Sequence, residues 1–193
     1  IDLTPNRSDC LSARGISREL NSINPQYKKK SKVDSNEPNP TCKNTGLKFN
    51  ILESNVCPRY GYMYLENVSS ECSAPEYVNK RLNDIGITLI HPIVDILNYI
   101  MIDIGQPMHA YDADKINGEI TIRMAKDKEI IPALDGNKYK LNSENIVVSD
   151  STQIMSLAGI IGSEETSVSG NTKNILVESA FFTPNAMANK ARL

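Results

Sequence analysis

Ile90-His-Pro-Ile-Val-Asp95-Ile-Leu-Asn98-Tyr-Ile-Met-Ile-Asp-Ile104 runs directly into Gly105-Gln-Pro-Met-His109-Ala-Tyr-Asp112, which holds one of the two histidines of the chain. Ile93, Val94, Ile96, Leu97, Ile100, Met101 and Ile104 cover most of the circumference of a helix, a pattern that predicts a buried one. Pro92 falls at a first helical position, and Gly105 with Pro107 is the punctuation that follows a last turn. At about fifteen residues the segment is too short for a bilayer, which needs roughly twenty. Asp95 and Asn98, three apart, share one helix face and can meet there. Polar groups on a buried face need partners, because an unmatched one costs about 1–3 kcal/mol. Two readings follow. Either Asp95 and Asn98 satisfy neighbouring backbone groups and His109 is an ordinary turn histidine, or Asn98 and His109 face one polar pocket. With an ordinary pKa of about 6.5, a histidine there can donate, accept or carry a proton near neutral pH.

Upstream, Ser73-Ala-Pro-Glu76 reads as a capping box that opens an amphipathic helix, with Val78, Leu82 and Ile85 as its apolar stripe and Gly86 as its end. Leu47, Phe49 and Ile51, and then Tyr60, Tyr62 and Tyr64, alternate with other residues and predict two strands. Residues 8–23 are expected to form a first helix capped by Ser8, with Leu11, Ile16 and Leu20 at helical spacing and Arg7, Arg14 and Arg18 on other faces. The run Lys28-Lys-Lys-Ser-Lys32 and the proline- and asparagine-bearing residues 34–41 read as an exposed linker, its lysines solvated or in contact with phosphate.

Downstream, short strands are expected over residues 120–124, 129–134, 139–141 and 146–149, with Asp135-Gly136 as a hairpin turn. Met155-Ser-Leu-Ala-Gly159-Ile-Ile-Gly162 is apolar with two glycines; these permit tight turns and close packing, or let a ligand reach backbone N–H groups. Ile175-Leu-Val-Glu178-Ser-Ala-Phe-Phe182 is a buried-strand run carrying one carboxylate. An isolated buried carboxylate is very costly, so Glu178 must be paired, protonated or reserved for a ligand. Thr183-Pro184 is expected to cap a last helix that the chain end interrupts.

The 193 residues, 40% of them hydrophobic, suffice for one substantial core or two small ones. The expected fold is mixed α/β (α+β), a central β-sheet flanked by helices. Residues 1–45 supply a helix and linker that pack on one compact domain formed by residues 46–193. The net charge of −2 carries no global basic signature of nucleic-acid binding, although a local basic face stays open. Cys10, Cys42, Cys57 and Cys72 form no CxxC pair and have no histidine nearby, so neither a metal site nor a disulfide framework is expected. A reducing, cytoplasmic setting fits, with no membrane partner. A chain that begins at Ile1 and stops at Leu193 inside an expected helix reads as a fragment.

Seven motifs carry a resemblance: Thr4-Pro-Asn-Arg7-Ser-Asp9-Cys-Leu11, Cys57-Pro-Arg-Tyr60, Val94-Asp-Ile-Leu-Asn98-Tyr, Gly105-Gln-Pro-Met-His109-Ala-Tyr-Asp112, Leu134-Asp-Gly136, Ala158-Gly-Ile-Ile-Gly162-Ser-Glu164 and Glu178-Ser-Ala-Phe-Phe182. In this order the chain resembles the central editing domain of the beta subunit of bacterial phenylalanyl-tRNA synthetases. The resemblance implies hydrolytic proofreading: the parent ligase joins phenylalanine to tRNA(Phe), and this domain deacylates tyrosine attached in error. It also implies that Glu178 recognises the tyrosine hydroxyl, assisted by backbone at Gly159 and Gly162. His109 and Asn98 are implied to line the pocket near the scissile ester and so to be the candidate catalytic residues. The implied partners are tRNA(Phe), the tyrosine or phenylalanine moiety, and an alpha subunit in a heterotetramer of two alpha and two beta subunits. ATP and magnesium belong to the parent ligase, and no cofactor is expected in this stretch. A histidine- and threonine-containing segment that closes the family's pocket would lie beyond Leu193, leaving the domain truncated at its C-terminus. A free-standing trans-editing hydrolase and a non-catalytic RNA-binding or scaffolding module are the alternatives.

Overall fold

The computed structural model describes residues 2–24, 46–69, 72–188 and 190. In chain order its elements are α1 (Ala13–Ile23), β1 (Phe49–Ile51), β2 (Arg59–Leu65), α2 (Glu76–Asp84), α3 (Pro92–Ile104), β3 (His109–Asp112), β4 (Ile120–Met124), β5 (Ile130–Pro132), β6 (Lys138–Lys140), β7 (Ile146–Ser149), β8 (Ile154–Leu157), β9 (Ile161–Gly162), β10 (Ile175–Phe181) and α4 (Pro184–Met187). The strands form a five-stranded sheet, β1-β4-β7-β8-β9, a three-stranded sheet, β2-β10-β3, and the β5-β6 hairpin. β1 pairs with β4 in parallel. The remaining ladders are antiparallel.

Side-chain alternation builds the layers. In β10, Leu176 points into the main core, where Tyr111 joins Ile120, Ile122, Val148 and Met155 from the five-stranded sheet. Ile175 points the other way, with Ala110, onto Leu97 and Ile93 of α3. A period of two along each strand therefore gives the three-stranded sheet one face toward the larger sheet and one toward the helix. The opposite face of the larger sheet packs Val147 and Leu157 against Ile131 and Tyr139 of the hairpin. α2 closes on α3 through Val78, Leu82, Ile96 and Tyr99.

The mixed fold with helices beside sheet is as expected, and the ends of α3 match its sequence punctuation: Pro92 opens the helix and Gly105 adopts φ 85°, a left-handed cap. Several local expectations are corrected. Residues 8–23 do not form one helix; Ser8–Cys10 is a 3₁₀ turn, and Ser12, not Ser8, caps α1 by accepting from Gly15 N at 3.0 Å. The Ser73–Glu76 capping box is not made, because the residue ahead of α2 is Pro75, and no side-chain cap bond forms there. α3 is not buried all round: Asp95 and Leu97 are buried, while Ile104 is 42% exposed. It rests on the three-stranded sheet, on α2 and, near its C-terminal end, on α1, where Arg14 pairs with Asp103 at 3.4 Å, and most of its residues are half-buried. α4 stops at Met187 rather than running to the chain end, with Ala188 leaving the helical region at ψ 127°, and Thr183 makes no side-chain cap bond. The two early strands form as expected, and β1 joins β4 while β2 joins β10. The lysine-rich linker and Cys42 lie outside the described residues.

Candidate active site

Where the C-terminal end of β10 passes the loop after α3, a cavity of about 580 Å³ opens. Residues 105–109, the end of β8, the turn into β9, the end of β10 and Met187 line it. Register puts the two principal polar groups side by side, since Glu178 on β10 pairs with His109 on β3. His109, Gly159, Gly162 and Glu178 all line the cavity, and Asn98 does not. No bond joins Asp95 to Asn98 among the described residues; Asp95 Oδ1 instead accepts from Ile90 N at 2.9 Å, a backbone-satisfying role at the start of α3.

Glu178 is 6% exposed, and the answer to its burial is two tyrosines. Its Oε2 accepts from Tyr60 Oη at 2.8 Å and from Tyr111 Oη at 2.8 Å. Tyr111 Oη in turn meets Ser156 Oγ at 2.8 Å, so Ser156 donates to Tyr111 as Tyr111 donates to the carboxylate. Among the described residues no donor occupies Oε1. Burial raises the Glu178 carboxyl above the usual range, with the two phenol bonds pulling the other way. Burial also raises both phenols, and the neighbouring carboxylate adds to it, so they remain donors.

His109 is neutral for the same reason. Burial lowers its pKa to about 4. Its ring stands edge-on to Tyr111, centroids 4.5 Å apart. On the other side it lies against Gly162: a Cβ there would sit 2.5 Å from Cε1 and 2.6 Å from Nε2 of His109. Gly162 is thus the seat of the imidazole, a close approach that only glycine allows. Among the described residues His109 Nε2 is buried without a hydrogen-bond partner, an orphan of the kind that a ligand or water completes. At Gly159, a Cβ would approach Met187 Cε at 3.0 Å, tying this turn to α4.

The depressed histidine has a signed consequence. Its folded pKa, about 4, lies below the unfolded value of about 6.5, so protons favour the unfolded chain. The full contribution is present above pH 6.5 or so and declines as pH falls toward 4. Glu178, raised instead, works with opposite sign, since its stability contribution is lost as pH rises through its folded pKa. Subtracting the denaturation free energies of His109→Gln from those of wild type isolates the histidine: the difference is expected to move against wild type between pH 6.5 and 4 and to be flat above.

Sequence reading missed Tyr60, Tyr111 and Ser156. The demand that Glu178 be paired pointed to partners, and tyrosines at alternating strand positions were candidates, but strand order was needed to choose them. For a metal, the nearest thing to a ligand set among the described residues is Asp9, Cys10 and Glu19, whose donor atoms lie within 4.8 Å of one another. Arg7 already fills it: Nη2 reaches Glu19 Oε2 at 2.7 Å, Asp9 Oδ2 at 3.0 Å and Cys10 Sγ at 3.0 Å. The cluster is an ion-pair knot that fastens the N-terminal turn to α1.

A buried carboxyl group and a neutral imidazole line one cavity from adjacent, paired strands. The model of the B3/4 domain family matches residues 56–193, and the chain belongs to that family. Over 192 residues it is 40% identical to the phenylalanine–tRNA ligase beta subunit of Haemophilus ducreyi and 37% identical to that of Photorhabdus laumondii. Each match takes in 100% of this chain and 24% of the relative, so the chain spans about a quarter of the length of those subunits. An N-terminal fragment of the phenylalanyl-tRNA synthetase beta subunit from Pyrococcus horikoshii shares the fold, with TM-score 0.57 and 17% identity over 94% of this chain and 54% of that one. No described helix is long and apolar enough to cross a membrane.

Proposed function

We propose that this chain is the editing domain of a phenylalanine–tRNA ligase beta subunit and that it hydrolyses tyrosine wrongly esterified to tRNA(Phe). The observation that carries the reading is Glu178: buried, part of the cavity lining, tied down through Oε2 by two phenols, and with no described donor on Oε1. A phenol hydroxyl would complete that acceptor, whereas a phenylalanine ring would leave a buried carboxylate oxygen unmatched. Sites that demand a hydroxyl reject the analogue lacking it by about 10⁴-fold, while an apolar synthetic pocket excludes an added hydroxyl only about a hundredfold. A second, hydroxyl-demanding sieve answers that asymmetry.

In the chemistry proposed, a water attacks the ester carbonyl, and position and electrostatics supply most of the rate. His109 is assigned to position that water or take its proton, a task its neutral state at pH 7 permits. Gly159 and Gly162 shape the wall on which the aminoacyl group lies. Asn98, on α3 outside the cavity lining, keeps a role only through substrate or segments that extend to it. The proposed partners are tRNA(Phe) and a ligase alpha subunit in a heterotetramer of two alpha and two beta subunits, in the cytoplasm. ATP and magnesium serve the ligase reaction. The Arg7-filled acidic cluster does not fit a magnesium ion.

The test is deacylation of preformed tyrosyl-tRNA(Phe) and phenylalanyl-tRNA(Phe) by the complete synthetase carrying this domain. Rapid clearance of the tyrosyl ester with the phenylalanyl ester spared is expected. Equal, slow loss of both would reduce the domain to an RNA-binding or scaffolding module.

A further inference from the structure

Glu178 is held by an arrangement more particular than burial requires. One hydrogen bond would have been enough to give a carboxylate a partner. Here two phenols from strands on opposite sides of β10 converge on the same oxygen, Tyr60 from β2 and Tyr111 from β3, each at 2.8 Å. Ser156, on β8 of the other sheet, backs Tyr111 at 2.8 Å. Two donors on Oε2 fix the rotation of the carboxylate plane, which one donor would leave loose.

On the hydrolytic reading above, we propose that Tyr60 and Tyr111 are positioning residues for substrate selection, saturating Oε2 of Glu178 so that Oε1 is the single acceptor offered to the substrate hydroxyl. Neither tyrosine lines the cavity, so both act through Glu178.

The physical reason lies in the protonation state. A carboxylic acid both donates and accepts; a carboxylate only accepts, and so demands a donor such as a phenol hydroxyl, which a phenylalanine ring lacks. Burial pushes Glu178 toward the acid, and the two phenol bonds oppose that push. Bonds in series through Ser156 and Tyr111 strengthen one another in a low-dielectric interior. The titratable groups around Glu178 are Tyr60 and Cys57 from the β2 side and Tyr111 and His109 from β3. Cys57 is raised to about 11 by burial and the nearby carboxylate, and His109 is neutral above about pH 4, so neither supplies charge that would replace the phenols.

Tyr60→Phe and Tyr111→Phe remove one oxygen each and keep the aromatic body in place, which favours retention of the fold. Single-turnover deacylation by the complete synthetase separates the alternatives, with tyrosyl- and phenylalanyl-tRNA(Phe) followed between about pH 5 and 8. Each single variant is expected to raise KM for the tyrosyl ester about tenfold, with a smaller change in kcat. Each should also move the acidic limb of tyrosine clearance up by roughly one pH unit, and the double variant further. Ser156→Ala should shift the limb in the same direction by less. Folded variants whose KM and acidic limb match wild type, while Glu178→Ala loses tyrosine clearance, would overturn the positioning role and leave the editing function standing. Undiminished tyrosine clearance by Glu178→Ala would overturn both.

Discussion

Glu178→Ala is expected to remove tyrosyl-ester clearance by at least about a hundredfold while leaving the slow loss of phenylalanyl-tRNA(Phe) unchanged. The prediction follows from what the side chain faces. Its Oε2 is consumed by Tyr60 and Tyr111, the residue lines the cavity, and on the proposed reading Oε1 is the acceptor left for a ligand. With alanine in place, a tyrosine ring gains nothing over phenylalanine from that wall. The same substitution takes from Tyr60 the bond its hydroxyl donates to Glu178 and leaves Tyr111 with Ser156 alone, and an unmatched buried donor costs about 1–3 kcal/mol, so lost stability must be told apart from lost recognition. Glu178→Gln does that. Its amide oxygen accepts from the tyrosines and removes a buried ionisable group, so the fold should be held or strengthened near neutral pH, where the raised carboxyl opposes folding. Denaturation midpoints measured beside deacylation rates check this: a stable Glu178→Gln with impaired tyrosine selection locates the defect in recognition. Wild-type selection in both variants would return Glu178 to a structural role.

Gly162→Ala is expected to lower tyrosyl-ester hydrolysis by about a hundredfold, although it adds only a methyl group. The added Cβ would meet the His109 ring at 2.5 Å and Leu134 Cδ1 at 3.0 Å, closer than real Cβ contacts come. The imidazole cannot simply retreat, because Tyr111, fully buried, stands edge-on to it. It must tilt or shift by roughly 1 Å, a displacement that costs about 10² in rate when it moves a group in the reacting constellation. Two measurements locate the effect. Deacylation by the double variant Gly162→Ala/His109→Ala should match His109→Ala alone, since the methyl has nothing left to displace. Gly162→Ala in isolation should leave phenylalanine attachment to tRNA intact. Independent, additive losses would show that Gly162 serves the ligand by its backbone and not by seating the histidine.

The two residues stand differently with respect to legibility. Glu178 was conspicuous in the sequence, because a lone carboxylate in Ile175-Leu-Val-Glu178-Ser-Ala-Phe-Phe182 has to be answered by something. Its partners were not, since Tyr60 and Tyr111 lie 118 and 67 positions away. Gly162 was visible only as a glycine, and its use, against an imidazole that precedes it by more than fifty residues, depends on how β9 lies across β3. Asn98 shows the reverse error of local reasoning. Its spacing from Asp95 suggested a shared polar face, yet Asp95 is spent on the Ile90 amide and Asn98 stays outside the cavity lining.

What the chain determined by itself are features decided within a few residues. Pro92 and Gly105 bound α3 by fixed φ and by left-handed freedom, Asp135-Gly136 turns the β5-β6 hairpin, and alternation marks β4. These rest on backbone sterics and on the period of side-chain direction, which neighbours in sequence already specify. Only the tertiary structure decided that the strands divide into separate sheets, that most of α3 is half-buried, and that Glu178, His109 and their tyrosines share one face. Those outcomes are set by register, where a shift of one residue turns every side chain to the other face, and by partners distant in the chain that the local pattern does not name.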